Sequence, residues 1–331
     1  MAIFLPPGLP AYSPLAAENL VRPATEAVPG KTLRVALLNL MPTTLATEYQ
    51  FARLLAKAGL DTELILARMT SHQAHNAPAG HLERWYRPSS ELRQAGPGSL
   101  DAVIVTGAPV EHLPFEQVDY WQELADSMAW IQQAGLPAVY VCWASQAALW
   151  LRFGIGKQSF PEKLSGVFTH HSCSGAAAFA AGLPASFAAP HSRYTGFDEA
   201  AIRRTPGLEQ LACLADTTAV PVFARGSSYL LVSDGGKSLY ISGHPEYEAE
   251  TLDSEYRRDR VRDPAAALPW NYYADRERLI IAKPEWTGAA QAVYTAWLRY
   301  VQDLKNGQQE QELHTEARKA YRHSVSSRCF L

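Results

Sequence analysis

Short apolar runs alternate with amphipathic stretches through the first half of the chain. TLRVALLNLM (32–41) is nearly continuous in apolar residues, as suits a strand buried on both faces of a parallel sheet. ATEYQFARLLAKAGL (46–60) places Phe51, Leu54 and Leu55 at helical spacing and closes on a glycine. TELILARM (62–69) and DAVIVTGAP (101–109) return to strand character, the latter ending in a glycine-containing turn. VDYWQELADSMAWIQQAG (118–135) reads as an amphipathic helix, PAVYVCW (137–143) as the next buried strand, and SQAALWLRFG as a helix that begins almost at once. Strands alternating with helices imply right-handed crossovers and a mostly parallel, doubly wound α/β sheet with helices on both faces.

Beyond about residue 160 the pattern changes. AVPVFARG, SYLLVSDGG and KSLYISGHP (219–245) are short strand-like runs separated by glycine-rich turns, expected as antiparallel strands at one edge of the sheet. GAAQAVYTAWLRYVQDL (288–304) predicts a terminal helix. The expected organisation is an irregular, proline-rich arm over 1–31, an α/β domain over 32–304, and a polar tail over 305–331, frayed helix or disorder.

The chain has 331 residues, 47% of them hydrophobic, and a net charge of -3, which supplies a core but no basic field for nucleic acid. The start lacks the charged and apolar regions of a signal peptide, and no apolar run is long enough to span a bilayer. Cys142, Cys173, Cys213 and Cys329 form neither a zinc-ligand spacing nor a disulfide framework. These features point to small-molecule partners, no metal, no membrane contact and a cytoplasmic location.

Cys142 stands where the strand PAVYVCW gives way to a helix. The carboxyl end of a parallel strand is where α/β ligand sites form, and a helix N-terminus favours a thiolate and offers N–H groups to an oxyanion. Position alone leaves a buried structural cysteine as an equal alternative. The second element decides the matter. SLYISGHPEY is a strand ending in Gly-His-Pro-Glu, so His244 and Glu246 emerge together with Pro245 stiffening the link. A histidine with a nearby carboxylate is the base and orienter that a cysteine nucleophile requires.

The stretch C-x-A-x-Q at Cys142–Gln146 resembles the nucleophile elbow of class I glutamine amidotransferases, and His-Pro-Glu the rest of their triad. The chain is more closely similar to the homoserine O-acyltransferases, often called homoserine O-succinyltransferases, which share that fold. LNLMPTTLATEYQFARLL (38–55), VTGAPVEHLPFEQVDYW (105–121), YVCWASQAALWLRFGI (140–155), EKLSGVFTHH (162–171), APHSRY (189–194) and GHPEYEAETLDSEYRRD (243–259) carry the resemblance, in order. It extends from about residue 33 to about 304.

That resemblance implies Cys142 as acyl-thioester nucleophile, His244 as proton acceptor and Glu246 as its partner; the helix start just after Cys142 makes the backbone N–H groups around Trp143 the expected holders of the oxyanion. It places Lys163, Ser192 and Arg258 against the substrate. An amino-acid carboxylate suits Arg258 as a bidentate partner, whereas Lys163 and Ser192 alone read as solvated polar residues. Glu111 matches the position that selects the acyl donor: a small residue there goes with succinyl-CoA and Glu with acetyl-CoA. A carboxylate in the acyl pocket would repel the free carboxylate of a succinyl group, although by itself Glu111 reads as an exposed loop residue.

The implied activity is acyl transfer from acetyl-CoA, or from succinyl-CoA, to the hydroxyl of homoserine in methionine biosynthesis. Acyl-CoA is a co-substrate and no cofactor is permanently bound. The family tends to dimerise. Thr44 replaces a lysine of the family, WTGAA (286–290) replaces W-R-S-H-A, and Gly80 precedes His-Leu where the family has Glu. These departures keep serine open as an acceptor, hence cysteine biosynthesis as a pathway. Two further alternatives are a glutaminase or amidase with the same triad and a non-enzymatic binding module.

Overall fold

The computed structural model describes residues 1–71, 76–96, 98–173 and 182–326. Among them, twelve strands form one sheet. In chain order they are β1 (Ile3–Leu5), β2 (Val21–Pro23), β3 (Leu33–Leu38), β4 (Thr62–Arg68), β5 (Arg87–Pro88), β6 (Ala102–Val105), β7 (Ala138–Val141), β8 (Lys157–Ser172), β9 (Ser186–Phe197), β10 (Leu208–Leu214), β11 (Ser228–Ser233) and β12 (Ser238–Ile241). The helices are α1 (Tyr12–Ala17), α2 (Thr44–Lys57), α3 (His81–Trp85), α4 (Ser89–Gln94), α5 (Trp121–Gln133), α6 (Trp143–Phe153), α7 (Glu199–Arg204), α8 (Thr251–Arg262) and α9 (Thr287–Ser326).

The strand order is β2-β1-β4-β3-β6-β7-β12-β11-β10-β8-β9, with β5 beside β4. Pairing is parallel from β2 through β12 and antiparallel from there to β9. This is the expected α/β class, a mostly parallel sheet with antiparallel strands at one edge. Alternation along β3 explains the two cores: Leu33, Val35 and Leu37 enter one, Ala36 and Leu38 the other. Phe51 and Leu55 of α2 and Trp297 of α9 fill the first core. Leu124 and Met128 of α5 and Ala147 and Leu149 of α6 fill the second. Each fully buried Leu or Phe contributes roughly 1.5–3 kcal/mol, which fixes the strands and so the loops at their carboxyl ends.

Several elements differ from expectation. The first residues are no irregular arm: Ile3–Leu5 is fully buried and hydrogen-bonded between β2 and β4. A three-residue strand among prolines carries too short a pattern to be read as one. AVPVFARG forms no strand but turns around a short 3₁₀ segment, Val222–Ala224, because Pro221 lacks the N–H a ladder needs. KSLYISGHP contributes β12, which is antiparallel to β11 but parallel to β7 and so completes the parallel region. Helix α9 continues past residue 304 to Ser326, while 327–331, the end of the expected tail, lie outside the described residues. No helix among the described residues is long and apolar enough to cross a membrane.

Candidate active site

Strands β7 and β12 are adjacent and parallel, with Val141 opposite Ile241. The residues that follow them therefore emerge at the same end of the sheet. The Cys142 N–H donates to the Ile241 carbonyl at 2.7 Å, which ties the two exits together. Cys142 caps α6 with φ 52° and ψ −118°, a left-handed geometry that a non-glycine residue adopts only under constraint. Its carbonyl accepts from the Ser145 N–H at 3.0 Å and from Ser145 Oγ at 2.5 Å. This is a sharp strand-to-helix turn, of the kind that can present a nucleophile at the top of an α/β sheet. Trp143 opens α6, its ring buried against Phe115 and Tyr120.

His244 turns Nδ1 toward Glu246 Oε1 at 2.7 Å and hydrogen-bonds the Cys142 side chain. Both residues of the His–Glu pair are buried, and Tyr247 stacks on the imidazole with ring centroids 4.2 Å apart. Burial alone would push the His244 pKa down. The negative charges and hydrogen bonds of Cys142 and Glu246 outweigh it and hold the imidazole well above its usual value. The imidazole thus lies between the Cys142 side chain and the Glu246 carboxyl, touching both. Gly107, just past β6, completes the crowding: a Cβ there would lie 3.1 Å from Cys142 Cβ and 3.4 Å from His244 Cε1.

A cavity of about 650 Å³ opens over Cys142 and His244. Lys163, Ser192, Arg258 and Glu111 all line it, so the expected site residues converge on one space. Lys163 Nζ donates to Asp259 Oδ2 at 2.7 Å, and Arg258 donates through Nε and Nη2 to Asp259 Oδ1 at 3.0 and 2.8 Å. Burial would raise the Asp259 carboxyl, but its two cations hold it below the ordinary range. Ser192 Oγ donates to Glu255 Oε2 at 2.5 Å, and Tyr247 Oη donates to Glu255 Oε1 at 2.8 Å.

Glu255, Asp259, Tyr247 and Gly107 were not singled out from the sequence, although the first three lie in the quoted stretch 243–259. Their part follows from contacts that no local spacing encodes. Glu111 is not the exposed loop residue that its sequence alone suggests, being only 8% exposed. Among the described residues no group of three His, Cys, Asp or Glu side chains is arranged to hold a metal ion. The positions that depart from the family pattern lie off the cavity lining: Thr44 starts α2, and Gly80 precedes His81, which hydrogen-bonds Glu48 at 2.6 Å. Trp286 Nε1 donates to the Tyr247 carbonyl at 2.8 Å, bracing the loop that follows His244.

The family model described as homoserine O-succinyltransferase matches residues 2–306. A homoserine O-acetyltransferase from Desulfovibrio desulfuricans is 38% identical over 303 residues, covering 91% of this chain and 93% of the relative. Another protein of that name, from Catenibacterium mitsuokai, is 36% identical over 308 residues, covering 91% and 94%. The fold is also that of a glutamine amidotransferase from Thermotoga maritima, with a TM-score of 0.51 at 11% identity over 82% of this chain and 98% of that one.

Proposed function

The chain belongs to the homoserine O-succinyltransferase family and is an acyltransferase, and from that premise we propose that it moves an acetyl group from acetyl-CoA to the hydroxyl of homoserine through a thioester on Cys142. The observation that carries the reading is the exit of Cys142 and His244 from neighbouring parallel strands, with Glu246 on the far side of the imidazole.

In the first half-reaction the Cys142 thiolate attacks the thioester carbonyl carbon, and N–H groups at the start of α6 stabilise the oxyanion. The carbon–sulfur bond to CoA breaks, and His244 gives its proton to the leaving thiolate. Acylation removes the negative charge of Cys142, one of the two charges that raise the His244 pKa. The imidazole is thereby released to act as a base. In the second half-reaction His244 takes the proton of the acceptor hydroxyl, whose oxygen attacks the acyl carbon and expels the Cys142 thiolate.

The cavity supports an amino-acid acceptor, since it offers charges of both signs beside the reacting pair. Arg258 and Lys163 present cations to a carboxylate, and Glu255 presents a carboxylate to an ammonium. Acetyl-CoA is favoured as donor because Glu111 lines the same cavity, where its carboxylate would oppose the second carboxylate of a succinyl group. The product ester of homoserine then fits a step of methionine biosynthesis in which a sulfur nucleophile displaces the activated oxygen.

Mass spectrometry with donor alone tests the mechanism: the wild type gains an acetyl group at Cys142, and Cys142→Ala does not and loses turnover. An unmodified Cys142 under rapid transfer would overturn it. Crossing acetyl- and succinyl-CoA with homoserine and serine identifies both substrates, and ammonia release from glutamine without acyl-CoA would instead favour the amidotransferase-like chemistry of the fold.

A further inference from the structure

We propose that Thr195 is a positioning residue for acyl-donor choice, holding the Glu111 carboxylate in place and linking it to the helix that carries the nucleophile. This rests on the reading of Glu111 as the donor selector and identifies what makes that selector rigid.

Two donors of Thr195 converge on one oxygen of Glu111: its peptide N–H at 3.2 Å and its Oγ1 at 3.0 Å from Oε2. Thr195 Oγ1 also lies 2.9 Å from the side-chain amide oxygen of Gln146, Oε1. A hydroxyl has one proton and cannot donate to both. The carboxylate is the stronger acceptor, so Thr195 donates to Glu111, and we infer that the Gln146 amide is turned over from the orientation in which Oε1 faces Thr195, so that its N–H group donates to Thr195 Oγ1. The result is a directed chain from Gln146 through Thr195 to Glu111, all three side chains being less than a tenth exposed.

Each end of the chain is anchored. Gln146 lies on α6, one turn beyond Cys142, so the selector is referenced to the reacting sulfur. Thr195 is held from below by Arg193, whose Nη1 donates to the Thr195 carbonyl at 2.6 Å. On the loop side Lys157 Nζ donates to the carbonyls of Glu111, at 2.5 Å, and of Leu113. Selection by repulsion needs such anchoring. A freely rotating glutamate could swing aside and admit a succinyl carboxylate, whereas a carboxylate fixed on a buried hydroxyl and peptide N–H cannot.

The experiment compares kcat/KM for acetyl-CoA and succinyl-CoA in the full-length wild type, Thr195→Val, Thr195→Ser, Glu111→Gly and the Thr195→Val/Glu111→Gly double variant. Losing a hydrogen bond to a charged group predicts that Thr195→Val lowers the acetyl-to-succinyl ratio about tenfold or more. Thr195→Ser, which keeps the hydroxyl, stays within about threefold of wild type by the same reasoning. The double variant matches Glu111→Gly, because Thr195 acts only through Glu111. If Thr195→Val does not fold, Thr195→Ala takes its place in the series. The proposal is overturned if Glu111→Gly shifts the ratio while the valine or alanine variant, folded, does not. It is also overturned if Thr195→Val shifts the ratio equally without Glu111. Should Glu111→Gly itself leave the ratio unchanged, the reading of Glu111 falls first, and the role of Thr195 with it.

Discussion

The peptide N–H of His244 donates to the carbonyl oxygen of Pro190 at 2.9 Å. This one bond hangs the imidazole beside Cys142 from β9, the strand that also carries Ser192 into the cavity and Thr195 onto Glu111. Residues of β9 alternate faces. Ser192 and Tyr194 reach the cavity, while His191 and Arg193 are buried with Nε of Arg193 donating to Nδ1 of His191 at 3.1 Å. The proposed acceptor site, donor selector and base thus share one strand as their reference.

Gly243 keeps that contact close. A Cβ there would lie 2.7 Å from the Pro190 carbonyl oxygen and 2.9 Å from a ring carbon of Tyr229. Gly243→Ala must therefore push the His244 loop off β9. A displacement near 1 Å at a reacting group costs about 10²-fold, so kcat/KM should fall by about that factor while the protein remains folded by circular dichroism. Activity within threefold of wild type would show that the loop has room to yield.

Glu246→Gln removes one of the two negative charges that raise the His244 pKa against burial. The imidazole of the free enzyme should then titrate at lower pH by NMR. Positioned base catalysis contributes about 10²–10⁴-fold, which bounds the expected loss in kcat/KM. An unchanged imidazole titration would mean that Cys142 alone sustains the shift.

The contrast between Cys142 and Thr195 marks what the sequence made legible. Cys142 and His244 each follow a short run of consecutive apolar residues, so their placement at strand ends is local information. Thr195 contacts Glu111 from 84 positions away and Ser192 contacts Glu255 from 63, distances over which spacing says nothing. Strand β9 escaped the pattern because three of its buried positions are His191, Arg193 and Thr195, polar residues that break any apolar alternation and are held by hydrogen bonds. The parallel core was readable for the opposite reason, being built from Leu, Val, Ile and Ala in unbroken runs.

Glu255 should matter for the acceptor and not for the donor. It is bound by Ser192 and Tyr247 within the cavity and is the carboxylate that a substrate ammonium would meet. Glu255→Gln keeps the shape and removes the charge. Loss of a charge-assisted hydrogen bond of about 1.5–3 kcal/mol predicts a 10–100-fold rise in the acceptor KM. Formation of the acyl-enzyme from donor alone should be unchanged, and a parallel loss in that step would assign Glu255 to the architecture of the catalytic pair instead.

The buried histidines make folding sensitive to mild acid. Burial pushes the His170 imidazole down to about 3 from its usual 6.5, with the charge of Arg193 adding to the effect. Burial and Arg193 likewise hold His191 well below its usual value. Arg193 Nε donates to His191 Nδ1, so a neutral His191 carries its proton on Nε2 and donates it to His170 Nε2 at 2.9 Å. Between about pH 3 and 6.5 the unfolded chain binds a proton at His170 that the folded chain does not. Stability contributed by the neutral ring is therefore present above about pH 6.5 and is lost as pH falls below it. The loss approaches about 1.4 kcal/mol per pH unit for each such histidine. Urea unfolding at pH 7, 6 and 5 measures it in a window above most carboxyl titrations. His170→Gln should be less stable at pH 7 but show a flatter pH dependence, by close to one proton, between pH 5 and 6. Coincident slopes for variant and wild type would mean that the folded protein already holds that proton, which the His191 donor and the Arg193 charge beside it oppose.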